Sequence, residues 1–249
     1  DTGTVLIVYL LGKELGKIFN VQYSMVNETG EGELVGLIAA FFYAVAVVPI
    51  QNSHFFIVDT FGNFFGALTL LLLVKVIKRR TGLGFAGLGA ALGMAMACKL
   101  NTFLLLPGVG IGLLVVGIKR FNDLNGRYVS WRKVLGWATV TGVSTYMTFR
   151  LFMPYAFADY SFWKVDQRWF KNSQEASANV KGDRDSPPII HWSGTDFIWP
   201  IQEMTVWGWG LPVGLGIALA VGWMVFKTIQ KRIVAWVPFW IALILPFAY

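Results

Sequence analysis

Charge is scarce in this chain. Only 14% of its 249 residues are Asp, Glu, Lys or Arg, against about a quarter in a soluble domain, so an ordinary water-solvated globule is excluded. A single cysteine, Cys98, rules out an internal disulfide framework and a metal site built from several thiolates. The two histidines, His54 and His191, have no second histidine at helical spacing. That leaves bis-His haem ligation and an HExxH-type metal pair without support. The one G-x-G-x-x-G string, Gly82–Gly87, follows no strand, so it reads as small residues for close helix packing and not as a phosphate loop. Persistent two-residue alternation is missing too, which removes a membrane β-barrel.

What the chain has in abundance is apolar length: 55% of its residues are hydrophobic and 16% aromatic. Several runs reach the ~20 residues that cross a bilayer as a helix. The fold class expected is all-α, a polytopic transmembrane bundle of about eight spans, near residues 4–20, 34–51, 58–77, 85–99, 102–118, 134–152, 208–227 and 233–249. The division is six spans in 1–152, one long extracytoplasmic loop over 153–206, and two further spans in 207–249. Basic residues give the direction. KVIKRR (75–80), the stretch 119–133 and KTIQKR (227–232), with Lys13 and Lys17, gather most of the 21 Lys and Arg on what the positive-inside rule makes the cytoplasmic side. The net charge of +7 is then a topology signal, and no nucleic-acid partner is needed to explain it.

The opposite face collects the polar breaks: PIQNSHFFIVDTFGNFF (49–65), the Lys99–Asn101 turn, the end of a span at Arg150, and the loop 153–206. Asp59 either complements the positive end of a helix dipole or lines a polar cavity, and the two are compatible. Lys99 and Arg150 close apolar runs against the positive-inside trend, by snorkelling or by pairing with a phosphate. His54 and His191 are binding candidates whose plainer role is interfacial hydrogen bonding. The loop is rich in Trp, which favours headgroup depth, and Tyr160–Phe170 suits a short interfacial helix. KGDRDSPP (181–188) is turn chemistry.

Three segments then share a known order: LIAAFFYAVAVVPIQNSHFFIVDTFGNFFGALTL (37–70), GLGAALGMAMACKLNTFLLLP (87–107) and FRLFMPYAF (149–157). Together they resemble the GT-C class of membrane glycosyltransferases, in particular relatives of the dolichyl-phosphate-mannose–protein mannosyltransferases. DSPPIIHW (185–192) and WGWGLPVGL (207–215) look like a prokaryotic subgroup of such proteins. The resemblance implies an integral protein of a prokaryotic cell membrane, active on its outer face. It also implies a hexosyl-type transfer from a polyprenyl-phosphate sugar to a hydroxyl of a protein or lipid-linked glycan, with a divalent metal left open. Asp59 would be the catalytic-site carboxylate, supporting the sugar or the base. Lys99 and Arg150 would face the phosphate with Tyr155 and Asn101 beside them. The family's usual base lies in a first outer loop between its first two spans. This sequence reads as an interior piece beginning at the second span, so the base is expected outside it. The competing class is an inactive accessory subunit of a larger membrane assembly; a transporter, lacking internal repeats and midplane charges, ranks below both. The one sequon, at Asn27, falls on the cytoplasmic side and is expected to carry no glycan.

Overall fold

The computed structural model describes residues 1–18, 32–55, 57–117, 129–157, 161–180, 202, 204–230 and 237–244. Its elements are helical: α1 (Thr2–Ile18), α2 (Glu33–Val45), α3 (Val47–His54), α4 (Val58–Arg79) and α5 (Gly82–Cys98) come first. A 3-10 turn (Leu100–Leu104) leads into α6 (Leu105–Gly117), and α7 (Trp131–Phe152) and a 3-10 turn (Pro154–Ala156) follow. The remainder are α8 (Gln167–Val180), a π turn (Met204–Gly208), α9 (Leu211–Gln230) and α10 (Val237–Ile244). Among the described residues the only extended pairing is one antiparallel bridge, Phe157 to Val165.

Two helices form the centre. On α4, Leu73 and Val74 are both fully buried; on α5, Phe85, Leu88, Ala91, Leu92 and Ala95 leave almost no surface. Burial on every side of a helix means neighbours all round, and α5 touches both α4 and α7 extensively. The glycine-rich string makes this possible. A Cβ on Gly89 would run into the Thr141 carbonyl, and one on Gly93 into Thr148 and the Thr145 carbonyl, so α5 and α7 approach backbone to backbone as small residues allow. At the α1–α2 seam, a Cβ on Gly12 would come within 3.0 Å of the Gly36 Cα and one on Gly16 within 2.7 Å of the Gly32 Cα. Gly32 itself has φ of 85°, where a side chain is strained.

These contacts fix the chain directions. Gly12 meets Gly36, Lys78 meets Glu14, Gly84 meets Val76, and Gly112 meets Leu73 and Pro238. Hence α1 and α2 are antiparallel, as are α4 and α5, and α6 and α10, whereas α1 and α4 run parallel, with Gly3 beside Phe64 and Glu14 beside Lys78. The α5 and α7 helices run parallel, with residue 89 beside 141 and 93 beside 145. One end of the bundle therefore receives the starts of α1, α4 and α6 and the ends of α3, α5 and α7. The other end carries Lys13–Glu33 (2.6 Å) and Lys78–Glu14 (2.7 Å) ion pairs, with Arg79 and Arg80 at the close of α4.

Among the described residues, α4 alone is long and apolar enough to cross a membrane by length and composition; α2 and α3 pass that test together but are bent by 58°. Gly82–Cys98, Asn101–Gly117 and Leu211–Phe226 are apolar but shorter. Of the expected set of about eight spans, the described residues supply one helix that passes, or two with the bent pair. The single span expected over 34–51 is broken at Ala46, whose ψ of 136° is extended, because Pro49 has no N–H to give the Val45 carbonyl. A second departure follows. Gln51, Asn52, Ser53 and His54 belong to α3, and the turn is confined to the few residues before Val58.

Candidate functional site at the polar end of the bundle

Asp59 lies in the first turn of α4, where no side chain caps the exposed N–H groups and a carboxylate complements their partial positive charge. Lys99 is the residue that ends α5, extended at φ −150°. The antiparallel α4–α5 packing brings the two together: Lys99 Nζ donates to Asp59 Oδ1. Gly62, one turn along α4, lies against the end of α5: a Cβ there would sit in ordinary contact, 3.7 Å from that of Lys99. Thr102 Oγ1 donates to the Lys99 carbonyl at 2.6 Å and holds the turn. Both members of the pair are partly exposed, so the pair contributes little to folding and is available to a ligand.

Around it, buried polar atoms lack partners among the described residues. They are Asp1 Oδ1, Thr4 Oγ1, Thr60 Oγ1, Asn101 Oδ1 and Arg150 Nε, and the helix directions put all five at this end. Thr4 is 1% exposed, and its hydroxyl lies by that of Tyr43 outside hydrogen-bond geometry. Tyr43 instead donates to Asp1 Oδ2 at 2.9 Å. Native proteins rarely leave such groups unsatisfied, and a concentration of them at one end marks where a polar ligand or ordered water belongs.

Arg150, one turn from the end of α7, is occupied by its own loop. Its Nη2 donates to the Ser161 carbonyl at 3.2 Å, and its Cζ lies 4.6 Å from the Phe157 ring centroid. Tyr146, one turn earlier, donates through its hydroxyl to the Phe162 carbonyl and stacks on Trp163. The Phe157–Val165 bridge and an Asp166 N–H to Ala156 bond of 2.9 Å close the hairpin. The interfacial helix expected over Tyr160–Phe170 is displaced by this hairpin and begins at Gln167. Asp166 starts it by accepting from the Arg168 backbone N–H at 2.7 Å and from its guanidinium at 2.9 Å. The Arg168 side chain and then its backbone N–H hold the Asp166 carboxyl below its usual range.

A groove of about 300 Å³ runs beside these elements, between α5, α6 and α7. Its walls include Leu92, Met96, Leu106, Val109, Leu113 and Phe149, and it opens on the bundle's flank at Gly110 and Gly142, both exposed. Neither Tyr146 nor the groove was legible in the sequence, because a groove arises where two glycine-bearing helix faces fail to meet.

Residues 23–129 match the family model of the dolichyl-phosphate-mannose-protein mannosyltransferases. The resemblance read from the sequence is to that family. The mannosyltransferase-like segment holds His54, Asp59, Lys99 and Asn101, and α2 to α6; Arg150, Tyr155 and His191 lie outside it. No curated protein and no solved structure matches the chain. Of the expected site residues, Asp59 and Lys99 are in direct contact, and Asn101 and Arg150 share their end of the bundle. His54 ends α3, exposed, at the same end, and Tyr155 sits 68% exposed in the 3-10 turn after α7. His191 and the KGDRDSPP stretch lie outside the described residues, as does Asn27. Among the described residues no three His, Cys, Asp or Glu gather as a metal site.

Proposed function

We propose that this chain is part of a membrane-embedded glycosyltransferase that moves a sugar from a polyprenyl-phosphate donor to an acceptor hydroxyl at the polar, extracytoplasmic end of the bundle. The observation that carries the reading is the family match over residues 23–129, in which the partly exposed acid–base pair Asp59–Lys99 stands near unsatisfied polar atoms. Membrane embedding of the whole bundle is supported by its flanks. Leu37, Phe41, Leu135, Leu219 and Phe226 are all more than half exposed, and water would not tolerate so continuous an apolar surface.

In the reaction the acceptor oxygen forms a bond to the anomeric carbon as the bond to the lipid-phosphate oxygen breaks; the acceptor proton leaves to a base, and the phosphate departs with the bonding pair. Lys99 neutralises charge on the departing phosphate. Asp59, released from Lys99 as the phosphate arrives, accepts hydrogen bonds from the sugar hydroxyls. Asn101 adds a polar contact. No residue is assigned the proton, and no metal is required by these roles.

A non-catalytic accessory subunit is the second reading, favoured by one observation: both cations expected to face phosphate already have partners, Lys99 in Asp59 and Arg150 in Ser161 and Phe157. Reconstitution in vesicles with a radiolabelled polyprenyl-phosphate hexose separates the two. Transfer that drops at least about tenfold in Lys99→Ala, as expected on losing a charge-assisted contact to phosphate, supports the enzyme. Transfer unaffected by Lys99→Ala removes Lys99 from the site, and no transfer by the full-length protein supports the accessory role.

A further inference from the structure

We infer that residues 161–165, the returning arm of the hairpin after α7, form a wedge in the headgroup–acyl boundary of a phospholipid leaflet, held there by Tyr146 and Arg150. The inference rests on membrane embedding of the bundle and not on sugar transfer. It goes beyond the transferase reading by giving a partner surface to an element outside the matched segment.

Depth comes first. On α7, Val143, Met147 and Leu151 are exposed and form one apolar stripe at four-residue spacing, so hydrocarbon reaches the helix's last turn. The hairpin folds back along the same helix. Trp163 stacks on Tyr146 with ring centroids 5.4 Å apart. Tyr146 precedes the helix end at Phe152 by ~9 Å, at 1.5 Å per residue. The arm's side chains suit that level: Trp163 is 77% exposed, and Phe162 and Val165 are exposed beside it. Lys164, also exposed, has the length to carry its charge back to the headgroups.

The backbone decides between lipid and water. An irregular segment in water can leave its N–H and C=O groups to solvent, whereas at membrane depth they must find protein partners. Here Arg150 Nη2 donates to the Ser161 carbonyl at 3.2 Å, and the Tyr146 hydroxyl donates to the Phe162 carbonyl. Ser161 Oγ accepts from the Trp163 and Lys164 N–H groups at 3.3 and 3.0 Å. At the arm's base the Asp166 N–H donates to the Ala156 carbonyl at 2.9 Å, and Phe157 pairs with Val165. Protein groups thus satisfy the arm's backbone while its apolar side chains stay exposed, the reverse of a water-facing loop. A platform for a soluble saccharide would expose the same rings but would leave this backbone to water.

The test places a nitroxide on the full-length protein in phosphatidylcholine vesicles, in a Cys98→Ala background, at Trp163→Cys or at Leu219→Cys on the bundle's flank. Collision with oxygen, which enters hydrocarbon, is compared with collision with a nickel chelate, which stays in water. The label at 163 should read about 5–10 Å below the headgroup surface, the depth of an interfacial element. Tyr146→Phe, which leaves the Phe162 carbonyl without its donor, should move that label toward water. Trp163→Cys removes the stacked ring, so quenching by brominated lipid reads the native side chain: wild type should lose more fluorescence than Trp163→Phe. A label at 163 in water while 219 is in lipid overturns the proposal and favours a platform for a soluble ligand. Equal quenching of wild type and Trp163→Phe, or a depth unaltered by Tyr146→Phe, overturns it as well. Labels in water at both positions contradict membrane embedding and the wedge together. Labels in lipid at both positions, with no sugar transfer by the wild type, leave the wedge standing and the enzymatic reading contradicted.

Discussion

At the scale of single residues, the centre of the account is a contact that neither partner's neighbourhood advertises. Asp59 and Lys99 are forty positions apart, and each was legible in sequence only as a polar residue at a break. Their pairing needed the antiparallel α4–α5 packing, which brings the start of one helix to the end of the other. Because exposed pairs add little to stability, Asp59→Asn should leave Tm within a degree or two while lowering transfer at least about tenfold; equal loss of Tm and activity would mark a structural pair instead. Asp166 gives a pH prediction. Its folded carboxyl is depressed by Arg168, so its stabilising contribution is present above the unfolded value near 3.8 and is lost as pH falls through the lower folded value. Hydrogen exchange of amides 166–170, corrected for intrinsic rates, should be flat from pH 8 to about pH 5 and accelerate only in stronger acid. In Asp166→Asn it should already be fast at neutral pH.

Among elements, the glycine-rich run 82–93 was readable as a close-packing helix, because small residues in an apolar stretch have few other uses. Which helix it packs against was not readable, since residue 89 meets residue 141 across a whole intervening helix, α6. Gly93→Leu should therefore be severe: its side chain has nowhere to go between Thr145, Thr148 and Phe149. An overpacking cost of about 1–3 kcal/mol or more should lower Tm in detergent by several degrees. Gly142→Leu, on the helix facing it, should not move Tm at all. The bend before Pro49 and the hairpin before Gln167 escaped sequence reading for the same reason: each is decided by a backbone hydrogen bond, lost at Pro49 and gained at Ala156, that hydrophobic patterning does not register.

For the molecule as a whole, what the sequence made legible is which polar residues share an end of the bundle. Among the described residues, Lys13, Lys78, Arg79 and Arg80 fall at one end, where Glu33 and Glu14 pair with Lys13 and Lys78, and Asp59, Lys99 and Arg150 fall at the other. Up-and-down alternation of apolar runs makes this readable, since each break must return the chain to the opposite end. Individual helix lengths were less readable, because several runs stop short of the ~20 residues that hydropathy rewards. The claim on which the rest depends is that the Asp59 end faces outward from the membrane and the Lys78 end faces the cytoplasm. In a Cys98→Ala background, Gln51→Cys and Arg79→Cys should be treated with a membrane-impermeant maleimide on intact cells. Labelling of position 51, with position 79 modified only after permeabilisation, is the predicted outcome; labelling of position 79 in intact cells would contradict the account.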